Sequence, residues 1–302
     1  MTQHVWLNGE IMPIADARLG VEDRGFQFAD GVYEVVRLYD GRPFALDAHL
    51  RRLWNSAVDI QITPPLAPHL LAAEVDRLLA TADVGDAQLY MQLTRGIAPR
   101  DHLFPEVVEP TLLFYLQPTK VAPRPGEGPG VQLLATADDR WKRCWIKSIA
   151  LLPNVLAKNA AVAAGFDEAA FVDAGFVTEG SATNIFAVVG GKLVTHPVGT
   201  KVLPGVTRAY VLECAAELGI EVDERAIREE EAPRADELFV TSTTREVAWV
   251  SRWNDIYIGC GRCGRVTAEL HRALRQRIRA ETSVQTDRPV VEQMPALLAA
   301  AC

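Results

Sequence analysis

The sequence predicts an α+β (mixed α/β) chain in two domains, on three observations. Its 302 residues, 49% hydrophobic and 23% charged, are enough for two cores of ordinary soluble type. Short β-rich runs alternate with longer helical patterns throughout. One dense Pro/Gly stretch, Pro118 to Gly130, separates two groups of such elements. The expected division is a small N-terminal α/β domain over 1–118, a linker over 119–130, a larger C-terminal domain over 131–283 and a tail over 284–302.

In the first region, Val5 to Pro13 alternates apolar and polar residues around Asn8-Gly9, the pattern of a hairpin. Val32 to Tyr39 is β-rich, Asp40-Gly41 is a two-residue turn, and Arg42 to Leu46 returns. Asp47 is placed to cap a helix beginning near Ala48, with Leu50, Leu53 and Ala57 on its core face and His49, Arg52 and Ser56 on another. A helix is expected near Pro68–Ala82, then strands over Ala87–Thr94 and Thr111–Gln117 around a loop carrying Arg100-Asp101-His102. In the strand from Val32, Tyr33, Val35 and Arg37 share one face, while Val32, Glu34 and Val36 share the other. A phenol and a guanidinium on one face suit an anion, and an edge tyrosine with a solvated arginine is the alternative.

Beyond the linker, strands are expected over Val131–Ala137, Glu168–Asp173, Phe176–Glu179, Ile185–Val189 and Lys192–Thr195, with helices over Val155–Ala164 and Ala209–Leu218. Gly205-Val206-Thr207 opens the latter helix. Its free amides and positive dipole end make it either a phosphate site or a plain helix start. Phe239 to Thr244 is a strand running into four hydroxyl residues, and Arg52 offers a full positive charge for a dianion.

Composition narrows the function. A net charge of −8 argues against nucleic acid or an anionic membrane as partner. No apolar run approaches the ~18–20 residues of a membrane span, and the N-terminus lacks signal-peptide features. A cytoplasmic protein is expected. The five cysteines are scattered, which argues against a disulfide framework. Cys260 and Cys263 have CxxC spacing, but His271 is the one further ligand within reach, so a Gly-rich turn before a helix is expected and no metal.

The residues that carry chemistry are Lys147 and Glu179. Lys147, one of only six lysines, is flanked by Trp145 and Ile146. An apolar pocket favours amine over ammonium and frees it to attack a carbonyl. Glu179, among Thr178, Ser181, Thr183 and Asn184, offers a carboxylate for a protonated ring nitrogen. The pair points to pyridoxal 5'-phosphate bound as a Schiff base to Lys147. Arg100 and His102, two residues apart in an extended loop, form either a carboxylate clamp or a solvated loop.

Several segments in order carry a resemblance: Asp23 to Val36 (DRGFQFADGVYEVV), Thr94-Arg95-Gly96, Arg100-Asp101-His102, Ile146-Lys147-Ser148 with Leu151 to Lys158, Thr178-Glu179-Gly180-Ser181, Gly205 to Arg208, and Thr241 to Thr244. From about Trp6 to about Glu281 the chain resembles the D-amino acid aminotransferases, pyridoxal-phosphate enzymes of fold type IV. The resemblance implies that Lys147 is the Schiff-base lysine and proton shuttle and that Glu179 pairs with the pyridine nitrogen. It implies Arg52, Val206, Thr207, Ser242 and Thr243 as the phosphate cup, and Tyr33, Arg100 and His102 as the trap for the substrate carboxylate. It also implies a homodimer with active sites at the subunit interface, the Arg and His loop reaching in from the partner, and D-amino acids and 2-oxo acids as substrates. Alternatives within the fold are an amine or branched-chain aminotransferase and an aminodeoxychorismate lyase. The chain departs from the family pattern at Ala182, which stands where a serine is frequent, and at Arg37, where lysine is frequent and a changed side-chain preference is expected. The tail also lacks a counterpart.

Overall fold

Two β-sheets, each with its own helices, organise residues 3–82, 84–119 and 122–283, the part of the chain that the computed structural model describes. The first sheet joins β1 (His4–Leu7), β2 (Glu10–Pro13), β3 (Gly31–Tyr39), β4 (Arg42–Pro43), β5 (Ala87–Thr94) and β6 (Thr111–Pro118). Its order is β2-β1-β6-β5-β3-β4, antiparallel throughout. Both short turns are made by residues with positive φ, Asn8 (47°) with Gly9 (97°) and Asp40 (49°) with Gly41 (74°). That is the turn whose twist matches a two-residue hairpin.

Three helices accompany this sheet: α1 (Arg24–Phe28), α2 (Leu46–Asp59) and α3 (Pro68–Leu79). Leu50, Leu53, Val75 and Leu78 pack against Val36, Leu89, Met91 and Phe114 in one apolar core. Asp47 does not cap α2. The helix starts at Leu46 after Ala45 in left-handed conformation, and the Ala45 amide donates to Glu281 Oε1 at 2.7 Å instead. A distant glutamate thus takes the amide of the N-cap residue itself, and Asp47 sits in the first turn, where its charge favours the dipole.

The second sheet is larger and mixed. It uses β7 (Val131–Ala137), β8 (Glu168–Asp173), β9 (Phe176–Gly180), β10 (Asn184–Val189), β11 (Lys192–Thr195), β12 (Val222–Asp223), β13 (Ile227–Arg228), β14 (Glu237–Ser242), β15 (Glu246–Trp253) and β16 (Ile256–Tyr257). The order is β12-β11-β10-β14-β15-β7-β8-β9-β13, with β16 beside β15. The β11/β12, β15/β7 and β7/β8 pairs are parallel. Helices α4 (Leu152–Ala163), α5 (Val206–Glu217) and α6 (Arg265–Ser283) accompany it. One face of the sheet joins α5 and α6 in a core through Phe186, Phe239, Val211, Leu270 and Leu274. Strand β15, absent from the sequence reading, is the centre of this sheet. Its residues Val247, Trp249, Val250 and Trp253 are buried whichever face they point to, so no alternation betrays it.

Cys260 and Cys263 lie in the turn before α6, where burial first, and then Glu237, pushes the Cys263 thiol up to about 11. Among the described residues no helix is long and apolar enough to cross a membrane. The tail over 284–302, and residues 120 and 121 of the expected linker, lie outside the described residues.

Candidate active site

Strand β3 anchors the site from both faces. Its backbone pairs with the segment that carries Lys147: the Tyr33 amide donates to the Lys147 carbonyl at 2.9 Å and the Ile149 amide to the Gly31 carbonyl at 3.1 Å. Lys147 therefore stands beside Tyr33, with Nζ 4.2 Å from the centre of the Tyr33 ring. Its amide donates to Ser56 Oγ, which ties the same segment to α2.

On the opposite face of β3, Glu34 is fully buried. It accepts from Arg52 Nε and Nη2 at 2.6 and 2.9 Å and lies 2.7 Å from His49 Nδ1. Burial alone would raise its carboxyl, but Arg52 and His49 outweigh burial and hold it well below the usual carboxylate range. Burial, helped by Arg52 and Lys147, pushes the His49 imidazole down against the pull of Glu34. The downward shift favours the neutral imidazole, which can still donate to Glu34 from Nδ1. The face of α2 bearing His49, Arg52 and Ser56 is thus as buried as its leucine face. Arg52 Nη1 also donates to the Pro204 carbonyl at 2.9 Å, which sets the guanidinium at the start of α5.

That helix start has no side-chain cap. Its N-cap is Gly205, and a Cβ there would sit 2.0 Å from Asn184 Oδ1, so any larger residue would have to displace the Asn184 amide. Val206 and Thr207 share with His49, Thr243 and Glu246 the lining of a cavity of about 10 Å³. The Arg245 amide donates to Ser242 Oγ at 3.1 Å, closing the turn that presents Thr243. The structure thus gathers Arg52, Val206, Thr207 and Thr243, with Ser242 adjoining.

Glu179, next to last in β9, is buried. Its Oε1 accepts from Arg140 Nη1 at 2.5 Å, and its Oε2 accepts from Asn184 Nδ2 at 3.1 Å and from the Leu203 amide at 2.9 Å. Burial nevertheless raises its carboxyl, against the opposing pull of Arg140, the Leu203 amide and Lys147. Arg140 is itself fixed by Asp138, by Thr178 Oγ1 and by the Lys201 carbonyl. A carboxylate has about four acceptor directions, so three donors leave one on Oε1.

Arg100 and His102 lie on the exposed loop between β5 and β6. Both face Phe28, Arg100 at 4.5 Å from the ring centre and His102 at 5.5 Å. Arg37 does not join Tyr33 in an anion site. It is buried, donates to Asp86 at 3.3 Å and Thr119 at 3.2 Å, and lies over the Tyr39 ring. A carboxylate across the sheet holds its charge.

Three residues in these contacts were given no role by sequence reasoning, Glu34, His49 and Arg140, whereas Asn184 was already named beside Glu179. Glu34 carried a signal, since a charge between Val32 and Val36 on the apolar face of a strand needs a buried partner. Arg140 had none, because its role depends on a sheet neighbour 39 positions away.

The donor set fits a phosphorylated pyridine. An uncapped helix start and a guanidinium suit a phosphate dianion, a buried carboxylate with a spare lone pair suits a ring N–H, and the charge of a lysine amine acts on both Glu179 and His49. The sequence model of the class IV amino-transferases matches residues 31–253. A D-alanine aminotransferase of Bacillus licheniformis is 39% identical over 279 residues, covering 92% of this chain and 98% of that protein. The branched-chain amino acid aminotransferase of Escherichia coli superposes with a TM-score of 0.85 at 25% identity, covering 95% of this chain and 98% of its own. That of Thermobaculum terrenum, solved in its PLP-form, gives 0.79 at 26% identity, covering 93% and 95%. With fold, family model and full-length relatives in agreement, the chain belongs to the class IV aminotransferases, fold-type IV enzymes that depend on pyridoxal phosphate.

Proposed function

We propose that the chain is a D-amino acid transaminase that moves the amino group of a D-amino acid such as D-alanine to a 2-oxo acid such as 2-oxoglutarate, in two half-reactions of ping-pong form. The observation that carries the reading is Lys147 Nζ held 4.2 Å over Tyr33 by the pairing of its segment with β3. The 39% identity to a D-alanine aminotransferase across nearly all of both chains supports the choice of substrate class.

In this reading the cofactor supplies an electron sink that makes the substrate Cα–H acidic. Lys147 Nζ would hold the cofactor until the substrate amine displaces it, and the freed amine would then be placed to take the Cα proton as general base and return it. Glu179 holds the proton on the ring nitrogen, and Arg140, Asn184 and the Leu203 amide keep its carboxylate aimed. The Val206 and Thr207 amides, the Ser242 and Thr243 hydroxyls and Arg52 hold the phosphate. Tyr33, Arg100 and His102 receive the substrate carboxylate. Two fixed points, the amine and the carboxylate, then decide which enantiomer presents its Cα–H to Lys147. A charged trap of this kind favours an amino acid over an amine that lacks a carboxylate.

The single chain leaves Arg100 and His102 on an exposed loop, and the reading takes a homodimer in which each loop completes the partner's site. It also takes the two sheets as two domains, over 1–118 and 131–283 with 119–130 as linker, and places the protein in the cytoplasm.

The test is a half-reaction screen. Purified holoenzyme is expected to lose its visible cofactor band on addition of D-alanine, and to keep it with L-leucine or 1-phenylethylamine. Bleaching by L-leucine or by the amine, with D-alanine inert, would overturn the substrate assignment. Borohydride reduction followed by peptide mass analysis is expected to find the cofactor on the peptide containing Lys147.

A further inference from the structure

The loop over residues 97–109 has a structural problem that its own residues do not solve. Arg100, Asp101, His102, Leu103 and Phe104 are all exposed, and the one hydrogen bond described between loop residues runs from the Leu103 amide to Asp101 Oδ1 at 3.0 Å. A carboxylate trap must nevertheless hold its donors in place before substrate arrives. The fixed point comes from another part of the chain.

Arg24, in α1, is buried. Its Nη1 donates to the Asp101 carbonyl at 2.6 Å, between Arg100 and His102, and to the Leu103 carbonyl at 3.3 Å. Its Nε donates to Asp30 Oδ2 at 2.9 Å. Asp30 in turn accepts from Arg95 Nε and Nη2, and Arg95 donates to the Ile60 and Gln61 carbonyls at the end of α2. The chain of contacts thus runs from the loop through Arg24, Asp30 and Arg95 to the helix that carries Arg52. The Phe28 ring completes the arrangement, with Arg24 4.8 Å and Arg100 4.5 Å from its centre and His102 beside it.

The position of Arg24 is itself fixed. Asp23 caps α1 by accepting from the Gly25 amide, and its other oxygen takes the hydroxyls of Thr94 and Thr111 at the two ends of the loop. The Arg24 amide donates to the Gly96 carbonyl at 2.9 Å.

From this geometry we propose that Arg24 is a positioning residue for the substrate-carboxylate trap, holding Arg100 and His102 at a fixed height by gripping the peptide between them. The inference rests on the trap assigned above. In the homodimer of that reading, Arg24 of one subunit sets the substrate affinity of the other subunit's site. Lysine cannot replace it, because one ammonium on a flexible stem cannot hold Asp30 and two carbonyls in a planar fork.

The test is a double-mutant cycle on holoenzyme, with the KM of D-alanine and of 2-oxoglutarate as readout. Arg24→Gln is expected to raise both KM values by about ten- to hundredfold, as loss of a charge-assisted grip on the loop would. The visible spectrum and the affinity for pyridoxal phosphate should stay unchanged. In an Arg100→Ala, His102→Ala background the same substitution should add less than about twofold, because its target is gone. Should Arg24→Gln fail to give soluble holoenzyme, Arg24→Lys enters the same cycle with a smaller rise expected. If the Arg100→Ala, His102→Ala enzyme raises KM but Arg24 variants do not, or if the two effects multiply independently, the inference fails. If the Arg100→Ala, His102→Ala enzyme leaves KM unchanged, the trap reading itself has failed.

Discussion

The buried floor of the site and the loop over 97–109 are built by opposite means. Around Lys147, buried carboxyls are held by fixed partners that oppose the cost of burial: Glu34 is enclosed by Arg52 and His49, and Glu179 by Arg140 and Asn184. Each of these groups sits on a strand or helix of the main framework or is tied directly to one. The loop instead exposes Arg100 and His102 and is anchored through backbone carbonyls gripped from below. The floor therefore links cofactor binding to folding, whereas the loop can be altered with the fold left intact. The difference suits a site whose cofactor stays and whose substrates exchange.

The largest expected effect tests whether the floor does the chemistry. Lys147→Ala should lose roughly 10³–10⁴-fold in kcat, the scale of a general acid–base catalyst, and more if no other group can carry the cofactor. Steady-state rates with D-alanine check this. Activity within about tenfold of the parent would move the reaction centre elsewhere.

Glu34→Gln tests the claim that the floor couples to stability. Removing one member of a buried charge cluster costs about 3–5 kcal/mol, because Arg52 is left without its carboxylate. Equilibrium unfolding in urea should show that loss, accompanied by weaker cofactor binding as the guanidinium beside α5 loses its orientation. A stable variant with normal cofactor affinity would separate Arg52 from the phosphate.

Arg100→Ala tests the opposite property of the loop. Loss of a charge-assisted clamp should weaken transition-state binding of D-alanine by roughly 2–4 kcal/mol. An exposed side chain contributes little to folding, so urea unfolding should not change by more than about 0.5 kcal/mol. A variant that lost stability as well would remove the contrast between the two regions.

The same contrast explains what the sequence made legible. Lys147, Glu179, Val206 and Thr207 stand out as candidates because each sits at a local signature: a lysine in an apolar run, a carboxylate among hydroxyls, a Gly-led helix start. The strands of the first sheet were readable because the sheet exposes one face, so Tyr33, Val35 and Tyr90 alternate with buried neighbours. Strand β15 was not, since burial on both faces erases the period. Nor were the partners that hold the site. Arg140 reaches Glu179, Arg24 reaches Asp101 and Glu281 reaches Ala45 across separations that no local pattern encodes. Arg37 was misread for the same reason, its partner Asp86 lying on the far side of a hairpin and two helices.

Acid should attack the buried side of the comparison first, and His271 gives the smallest and most specific test. Its imidazole, on α6, lies 3.6 Å from Glu246, but Arg275 already occupies that carboxylate at 2.7 Å. Burial first, then Arg275, Arg124 and Arg272, push the imidazole down to about 4, with Glu127 pulling weakly the other way. An unfolded histidine titrates near ~6.5. Between those values the unfolded chain binds the extra proton, so this group's contribution to stability is complete above about pH 6.5 and falls as pH drops toward about 4. At pH 5 the loss is about 2 kcal/mol. Glu179, Glu246 and Glu281, whose carboxyls are raised chiefly by burial, act with the opposite sign, so the difference between two proteins is the useful measure. Relative to the parent, His271→Gln should gain that ~2 kcal/mol on going from pH 7 to pH 5 in urea unfolding. A parent and variant whose stabilities run parallel between pH 7 and 5 would mean that His271 takes its proton in the folded state, with Glu246 as partner in place of Arg275.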